Sequence, residues 1–353
     1  MNDRSGMNHR RIRVAQFGLG PIGLEAVRLA ASRGWLEVVG GVDIDPKKVG
    51  QSLGALTGDA ALNDAPVVAD FEQLWQQAKP DVVLHTAGSS AAQTAEQIEP
   101  MLARGVSVAS TCEQMLYPWL RAPEAADRLD AVGREHDARV VGTGVNPGFV
   151  LDLLPVCVSG VCRSVQRVYG ERVVNASTRR EPLQRKVGSG MEPAAFRQRF
   201  AEGKAGHAGF QESLALIAHA LGWPIGAIEE TCDAVVTARS IRTQYFAVEP
   251  GLTCGLHQIV RAATADGRTI ELDLKMYLDA PNPHDAIHLD ADPPVDLILP
   301  GGVAGDTATV AALINAIPPL LAARPGVRLM TELGVSCCAE ALAGTPAATV
   351  AAT

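Results

Sequence analysis

Val14-Ala15-Gln16-Phe17-Gly18-Leu19-Gly20-Pro21-Ile22-Gly23-Leu24 is the stretch that decides how this chain is read. The apolar run from Ile12 to Phe17 reads as a buried strand. Gly18, Gly20 and Gly23 follow as G-x-G-x-x-G, and an Ala-rich helical stretch runs from Ile22 to about Ser32. A second apolar run, Val38 to Val42, ends in Asp43, twenty residues after Gly23. Strand, glycines, helix, second strand and terminal acid in this order make the dinucleotide-binding fingerprint. Gly18 makes the tight turn. Gly20, without a Cβ, lets a pyrophosphate approach the backbone. Gly23 lets the helix lie close to the strand. Pro21 and Ile22 open that helix, whose free N–H groups and positive dipole end face the phosphates. Asp43 can accept from both ribose hydroxyls, which favours NAD and repels a 2′-phosphate. Lys47 and Lys48 offset part of that repulsion, so NADP stays open behind NAD.

The 353 residues suffice for two domains. With 47% hydrophobic and 20% charged residues the composition is ordinary for a globular protein. The net charge of −8 and the lack of a basic run argue against nucleic acid as a partner. No apolar stretch is read as approaching the roughly 18 residues that span a bilayer. The polar start lacks an apolar segment behind it, so no signal peptide and no membrane partner are expected. Seven cysteines are scattered without C-x-x-C spacing. Cys254 and His257 lie three apart with no second ligand pair, so neither a disulfide framework nor a metal site is expected. Reduced thiols and a cytoplasmic location follow as the expectation.

From residue 12 to about 148, apolar runs alternate with amphipathic stretches, which implies a parallel sheet with right-handed crossovers. Helices are expected at 71–78, 91–104 and 123–136, and strands at 81–85, 106–109 and 139–142. Thr86 and Ala87 follow a strand and would pass under the cofactor, although Thr86 reads equally as a turn residue. Gly144-Val145-Asn146-Pro147-Gly148 breaks both periodicities and marks the domain boundary. Beyond it, strand-like alternation is expected at 163–177, 234–248, 256–265 and 269–278, with helices at 194–202 and 211–221. One helix is expected over 305–322, stopped by Pro318-Pro319 and packing back across the domain junction. The tail from about 339 is expected to be poorly ordered. The fold class is therefore α/β: an N-terminal Rossmann parallel sheet with a C-terminal α+β domain containing a mostly antiparallel sheet. The expected domains are 12–148 for the dinucleotide, 149–304 for substrate and dimerisation, and a 305–335 segment returning to the junction. An open antiparallel face needs cover, and a homodimer is the economical solution.

Glu113 is the outstanding ionisable candidate. It follows an apolar strand, sits beside Ser110, Thr111 and Cys112, and precedes Met115, Leu116, Tyr117 and Trp119. Such neighbours should raise a carboxyl pKa, which suits a general acid/base. A glutamate stabilised by a helix N-terminus is the competing reading.

Gly18-Leu19-Gly20-Pro21-Ile22-Gly23, Val42-Asp43-Ile44-Asp45-Pro46, Ser110-Thr111-Cys112-Glu113 with Tyr117-Pro118, and Gly144-Val145-Asn146-Pro147-Gly148-Phe149 together carry a family likeness. Arg179-Arg180, Lys186-Val187-Gly188-Ser189-Gly190, Gly206-His207-Ala208-Gly209 and the Gly301 to Thr309 segment continue it. The chain resembles the 2,4-diaminopentanoate dehydrogenase family, which includes the native amine dehydrogenases. The resemblance implies NAD(P)H-dependent reductive amination of a small ketone or aldehyde with ammonia, reversible as oxidative deamination. It also implies a homodimer and an active-site glutamate, which maps onto Glu113. Phe149, Tyr169, His257 and Thr307 are implied as pocket walls, and Asn146 as a neighbour of the nicotinamide. Three alternatives stay open: a carboxylate-bearing amine substrate held by Arg179 or Arg180, an ammonia-independent dehydrogenase, and a non-catalytic dinucleotide sensor. The fold is also similar to dihydrodipicolinate reductase, but the basic motif before Pro-Ser-Gly-Thr that such activity needs does not occur here.

Overall fold

The computed structural model describes residues 10–340, so most of the tail expected to be poorly ordered lies outside the described residues. The chain forms two compact units. One holds the described residues up to Met115, then Arg121–Gly144 and the residues from Thr309 on. The other holds Leu116–Leu120 and Val145–Ala308.

In the first unit, strands β1 (Ile12–Phe17), β2 (Leu36–Val42), β3 (Val67–Val68), β4 (Val82–His85), β5 (Ser107–Ser110) and β6 (Arg139–Gly142) alternate with helices. These are α1 (Pro21–Ala31), α2 (Leu53–Thr57), α3 (Phe71–Gln77), α4 (Ala91–Leu102) and α5 (Pro123–Glu135). The strands lie in the order β6-β5-β4-β1-β2-β3, all parallel. The order reverses between β1 and β4, and in open sheets of this kind ligands bind beyond the carboxyl ends at that switch. Local chemistry sets the helix boundaries. Pro21 and Pro123 occupy first-turn positions, where the missing N–H costs nothing. Asp70 caps α3 by accepting from the Gln73 N–H at 2.8 Å. Ala26, Val27 and Ala30 form the buried stripe of α1, and Ala125, Ala126 and Leu129 that of α5.

The second unit contains α6 (Leu153–Ser159), β7 (Ser164–Asn175), α7 (Glu181–Lys186), α8 (Pro193–Ala201) and α9 (Phe210–Ala220). Strands β8 (Glu229–Val236), β9 (Ile241–Arg242), β10 (Ala247–Val248), β11 (Thr253–Ala263), β12 (Thr269–Tyr277), β13 (His284–Asp292) and β14 (Val295–Pro300) follow. Six strands pair in the order β14-β13-β7-β12-β11-β8. Every pairing is antiparallel except β7 with β12. Leu256, Val260, Ile270, Leu272, Leu274, Ile287 and Leu289 bury one face of this sheet in a common core with Leu214 and Ile217 of α9. The opposite face carries Tyr169, Glu171, His257, Asp273, Lys275 and His284, most of them half-buried.

Three sequence expectations need correction. The run 234–248 is not one strand. It divides into the end of β8 and the short β9–β10 pair at two turns: Thr237 Oγ1 donates to Arg239 O at 2.6 Å beyond β8, and Thr243 Oγ1 between β9 and β10 accepts from the N–H of Tyr245 at 3.2 Å and of Phe246 at 3.0 Å. The stretch 305–322 is two helices, α10 (Gly305–Asn315) and α11 (Ile317–Ala322), with Pro318 and Pro319 in the first turn of α11 rather than at a stop. Together they make an 18-residue segment of mean hydropathy 1.2. Among the described residues this alone reaches bilayer-spanning length and composition, contrary to the expectation that none approaches it. Its second part packs on β5 and β6, with Ile317 and Leu320 buried. A final strand, β15 (Gly326–Arg328), then pairs parallel with β6 and completes a seven-stranded sheet.

Candidate active site

The carboxyl edge of the parallel sheet gathers the fingerprint residues. Gly18 has φ of +87°, and its N–H donates to Val42 O at 2.9 Å. Thr86, just past β4, donates its hydroxyl to Gly18 O at 2.9 Å and accepts from Gln16 Nε2 at 2.9 Å. The turn is thus pinned to the neighbouring strand, and Ala87 follows it, half-buried, into Gly88. A Cβ on Gly23 would lie 1.9 Å from Gly18 O, so the helix–strand approach tolerates only glycine. A Cβ on Gly20 would meet nothing within 4 Å. Gly20 is the N-cap of α1 and supplies no side-chain cap, so the N–H groups after Pro21 and Ile22 stay available to an anion. These features fit a dinucleotide pyrophosphate.

Asp43 ends β2. Its Oδ1 accepts from Asp45 N at 2.8 Å, and its Oδ2 from Leu19 N at 2.8 Å and Lys48 Nζ at 2.9 Å. Burial works against its charge, yet these bonds outweigh it and hold the carboxyl below the usual carboxylate range. Ile44, next in the chain, is 89% exposed. That apolar surface beside the acid was not singled out from sequence, and its position after the strand-ending Asp43 was the available signal.

Glu113 lies past the end of β5, two strand positions from β1. It opens a 3₁₀ turn, Glu113–Leu116. The backbone around it is anchored on both sides: Thr111 N–H donates to His85 O at 2.9 Å, Met115 N–H to Cys112 O at 3.0 Å, and Ala91 N–H to Gln114 Oε1 at 2.9 Å. The Glu113 side chain is half-buried, and among the described residues no hydrogen bond or ion pair occupies its carboxylate. Burial pushes the thiol of adjacent Cys112 up, so that group stays protonated at neutral pH.

In the second unit, Asn146 precedes a cis Pro147, and both its amide atoms are buried without a partner among the described residues. Asp152 holds this loop by accepting from Gly148 N at 2.8 Å, Leu153 N at 2.6 Å and Ser213 Oγ at 2.7 Å. Phe149, on the same loop, is 40% exposed. Tyr169 and His257 are brought together by one carboxylate: Tyr169 Oη donates to Asp273 Oδ2 at 3.3 Å, and His257 Nε2 lies 2.8 Å from Asp273 Oδ1. Burial, then the Asp273 and Glu171 carboxylates, push the Tyr169 hydroxyl up to about 12. Lys275 lies 3.2 Å from Asp273 Oδ2 and also bonds Glu171. Asp273 was missed by sequence reading. The alternation of β12 puts it on one face with Glu271 and Lys275, but only strand register brings Tyr169 and His257 to it.

Thr307 is exposed in the first turn of α10 and is joined to that pair by no hydrogen bond among the described residues. Beside it, Asp306 accepts from Arg179 Nη2 at 2.8 Å and Arg180 Nε at 2.9 Å. Both arginines thus have an internal partner. All seven cysteines are free thiols, and no cluster of metal-ligating side chains occurs among the described residues.

Residues 149–347 match the model of the 2,4-diaminopentanoate dehydrogenase C-terminal domain. The chain is 27% identical over 338 residues to a 2,4-diaminopentanoate dehydrogenase of Acetoanaerobium sticklandii, covering 92% of this chain and 94% of that protein. It is 24% identical over 233 residues to an amine dehydrogenase of Streptomyces virginiae, covering 65% and 64% of the two chains. Among solved structures, an amine dehydrogenase from Mycobacterium smegmatis superposes with a TM-score of 0.83 at 23% identity, over 95% of this chain and 99% of that one.

Proposed function

Since the chain belongs to the 2,4-diaminopentanoate dehydrogenase C-terminal domain family and is an NAD(P)-dependent oxidoreductase acting on amines, we propose that it aminates a small ketone or aldehyde reversibly with ammonia, with Glu113 moving the protons. The observation that carries this reading is the half-buried Glu113 carboxylate, unpaired among the described residues, past the strand that neighbours the Thr86 turn. A bound nicotinamide supplies hydride chemistry at the carbon that bears nitrogen. Glu113 takes a proton from ammonium, which frees the lone pair to attack the carbonyl. It then returns the proton to the carbinolamine oxygen, so that water leaves. The same carboxylate stabilises the cationic iminium. In deamination it accepts the proton of the substrate ammonium.

NAD is the favoured cofactor in this reading. The Asp43 carboxylate is held ionised at the end of β2, where it repels a 2′-phosphate. Lys48 is committed to that carboxylate. A substrate without a carboxylate is favoured because Arg179 and Arg180 are engaged by Asp306, while Arg172 is engaged by Asp285 and Val303 O. The assay that tests this is nicotinamide oxidation with cyclohexanone or a keto acid, each with and without ammonium. The expected result is turnover only with ammonium, faster with the plain ketone and faster with NADH than with NADPH. Equal turnover without ammonium would make the chain an alcohol-type dehydrogenase instead.

A homodimer through the half-buried polar face of the second unit belongs to the same proposal. Among the described residues β14 is an edge strand paired only with β13, and its free edge, with Ile298 57% exposed beside it, is what a second copy would cover. Sedimentation velocity should give a dimer, and a monomer at micromolar concentration would rule this interface out.

A further inference from the structure

Glu113 has no side-chain partner of its own among the described residues, so its aim is set by the backbone that carries it. That backbone traces to one buried side chain. His85 ends β4 and is fully buried. Its Nε2 lies 2.8 Å from Gln97 Oε1 and its Nδ1 lies 2.9 Å from Ser110 Oγ. Burial drops the ring to about 4, so the imidazole is neutral near pH 7, with one donor and one acceptor nitrogen. Gln97 Oε1 can only accept, so the proton sits on Nε2 and Nδ1 accepts from the Ser110 hydroxyl. The direction of the next bond follows. Ser110 Oγ, its hydrogen committed to His85, accepts from the Cys112 N–H at 3.1 Å. His85 also holds this turn by its main chain, since its carbonyl accepts from the Thr111 N–H at 2.9 Å. The ring stacks on Phe17, the residue before Gly18, with centroids 5.2 Å apart.

We propose that His85 is a positioning residue for Glu113: through Ser110 it orients the Thr111–Gln114 turn that presents the carboxylate. An apolar side chain would fill the same core without the cost of burying two ring nitrogens. What the imidazole adds is direction. A serine hydroxyl alone rotates freely, whereas one that donates to Nδ1 presents a fixed lone pair to the Cys112 N–H. The same strand end carries Thr86, which pins the glycine turn, so the acid and the nucleotide edge take their register from adjacent residues.

The inference rests on Glu113 being the acid/base group, and the experiment separates the two ideas. His85→Leu, His85→Asn, Ser110→Ala and Glu113→Gln are assayed for ammonium-dependent NADH oxidation with cyclohexanone, for NADH affinity by fluorescence, and for thermal midpoint. His85→Leu and Ser110→Ala should lower kcat about 10- to 100-fold, the scale of a misplaced catalytic group. The ketone KM and the NADH Kd should stay within about threefold. His85→Asn should keep kcat within about threefold, because the amide oxygen can replace Nδ1 as the acceptor for Ser110. It should nevertheless melt below His85→Leu, having left a larger void. A purely structural role predicts that turnover follows melting, so that leucine exceeds asparagine in both, and turnover by His85→Leu at or above that of His85→Asn overturns the proposal. Should His85→Leu fail to fold, Ser110→Ala, which deletes one oxygen, decides the matter: parent-like kcat overturns it. Full turnover by Glu113→Gln instead overturns the reading on which it rests.

Discussion

Glu113→Gln lowers turnover by about 10²–10⁴-fold, the range for a lost general acid/base, while NADH affinity stays near that of the parent. The amide keeps the shape and the half-buried position of the side chain but cannot carry a proton. No adjacent group can replace it, because burial holds the Cys112 thiol protonated and Thr111 does not ionise near neutral pH. The loss should fall on kcat and kcat/KM together, because the interaction is made in the transition state rather than with bound substrate. Single-turnover measurements with saturating NADH separate chemistry from product release. Near-parent rates in both Glu113→Gln and Glu113→Ala would remove the carboxylate from the mechanism.

Gly23→Ala abolishes dinucleotide binding and destabilises the first unit by about 3–5 kcal/mol, the scale of a backbone clash that nothing flexible can relieve. The added methyl would sit 1.9 Å from Gly18 O and 2.9 Å from Thr86 Oγ1. Gly18 cannot retreat, because its carbonyl accepts from Thr86 Oγ1 at 2.9 Å and from Gln16 Nε2 at 3.0 Å. Relief requires α1 to move off the sheet, and with it the N–H groups that face a phosphate. Gly20→Ala is the matched control. Gly20 has φ of −68°, and its Cβ position is open, so this variant should fold as the parent does. If the pyrophosphate lies against that open position, Gly20→Ala loses NADH affinity without losing stability. Denaturant unfolding and NADH titration of the two variants give both readouts. Parent-like NADH binding by Gly23→Ala would show that the turn does not hold the nucleotide.

Much of the first unit was legible because its signals are local. The run Ile12–Phe17 is mostly apolar and closes on Gly18, and Pro21 and Pro123 stand where a first helical turn tolerates a missing N–H. Sequence periodicity failed where a segment is defined by what it pairs with. β13, His284–Asp292, alternates apolar residues with histidine and aspartate and was not read as a strand. It exists because β7 and β14 hydrogen-bond its two edges. β15 has three residues and no signal of its own beyond its apolar centre. The two breaks in 234–248 carry side-chain hydroxyl bonds to the turn backbone, from Thr237 and from Thr243.

The sequence by itself determined the glycine turn, its acid at Asp43 and the candidate carboxylate at Glu113, since short-range sterics and charge are written in consecutive residues. Only the tertiary structure decided that Asp273 holds Tyr169 and His257 together, that Asp306 occupies Arg179 and Arg180, and that His85 stands behind Glu113. Each of these is a contact between residues far apart in the chain. Strand register and burial make such contacts, and neither can be read from a side chain's immediate neighbours.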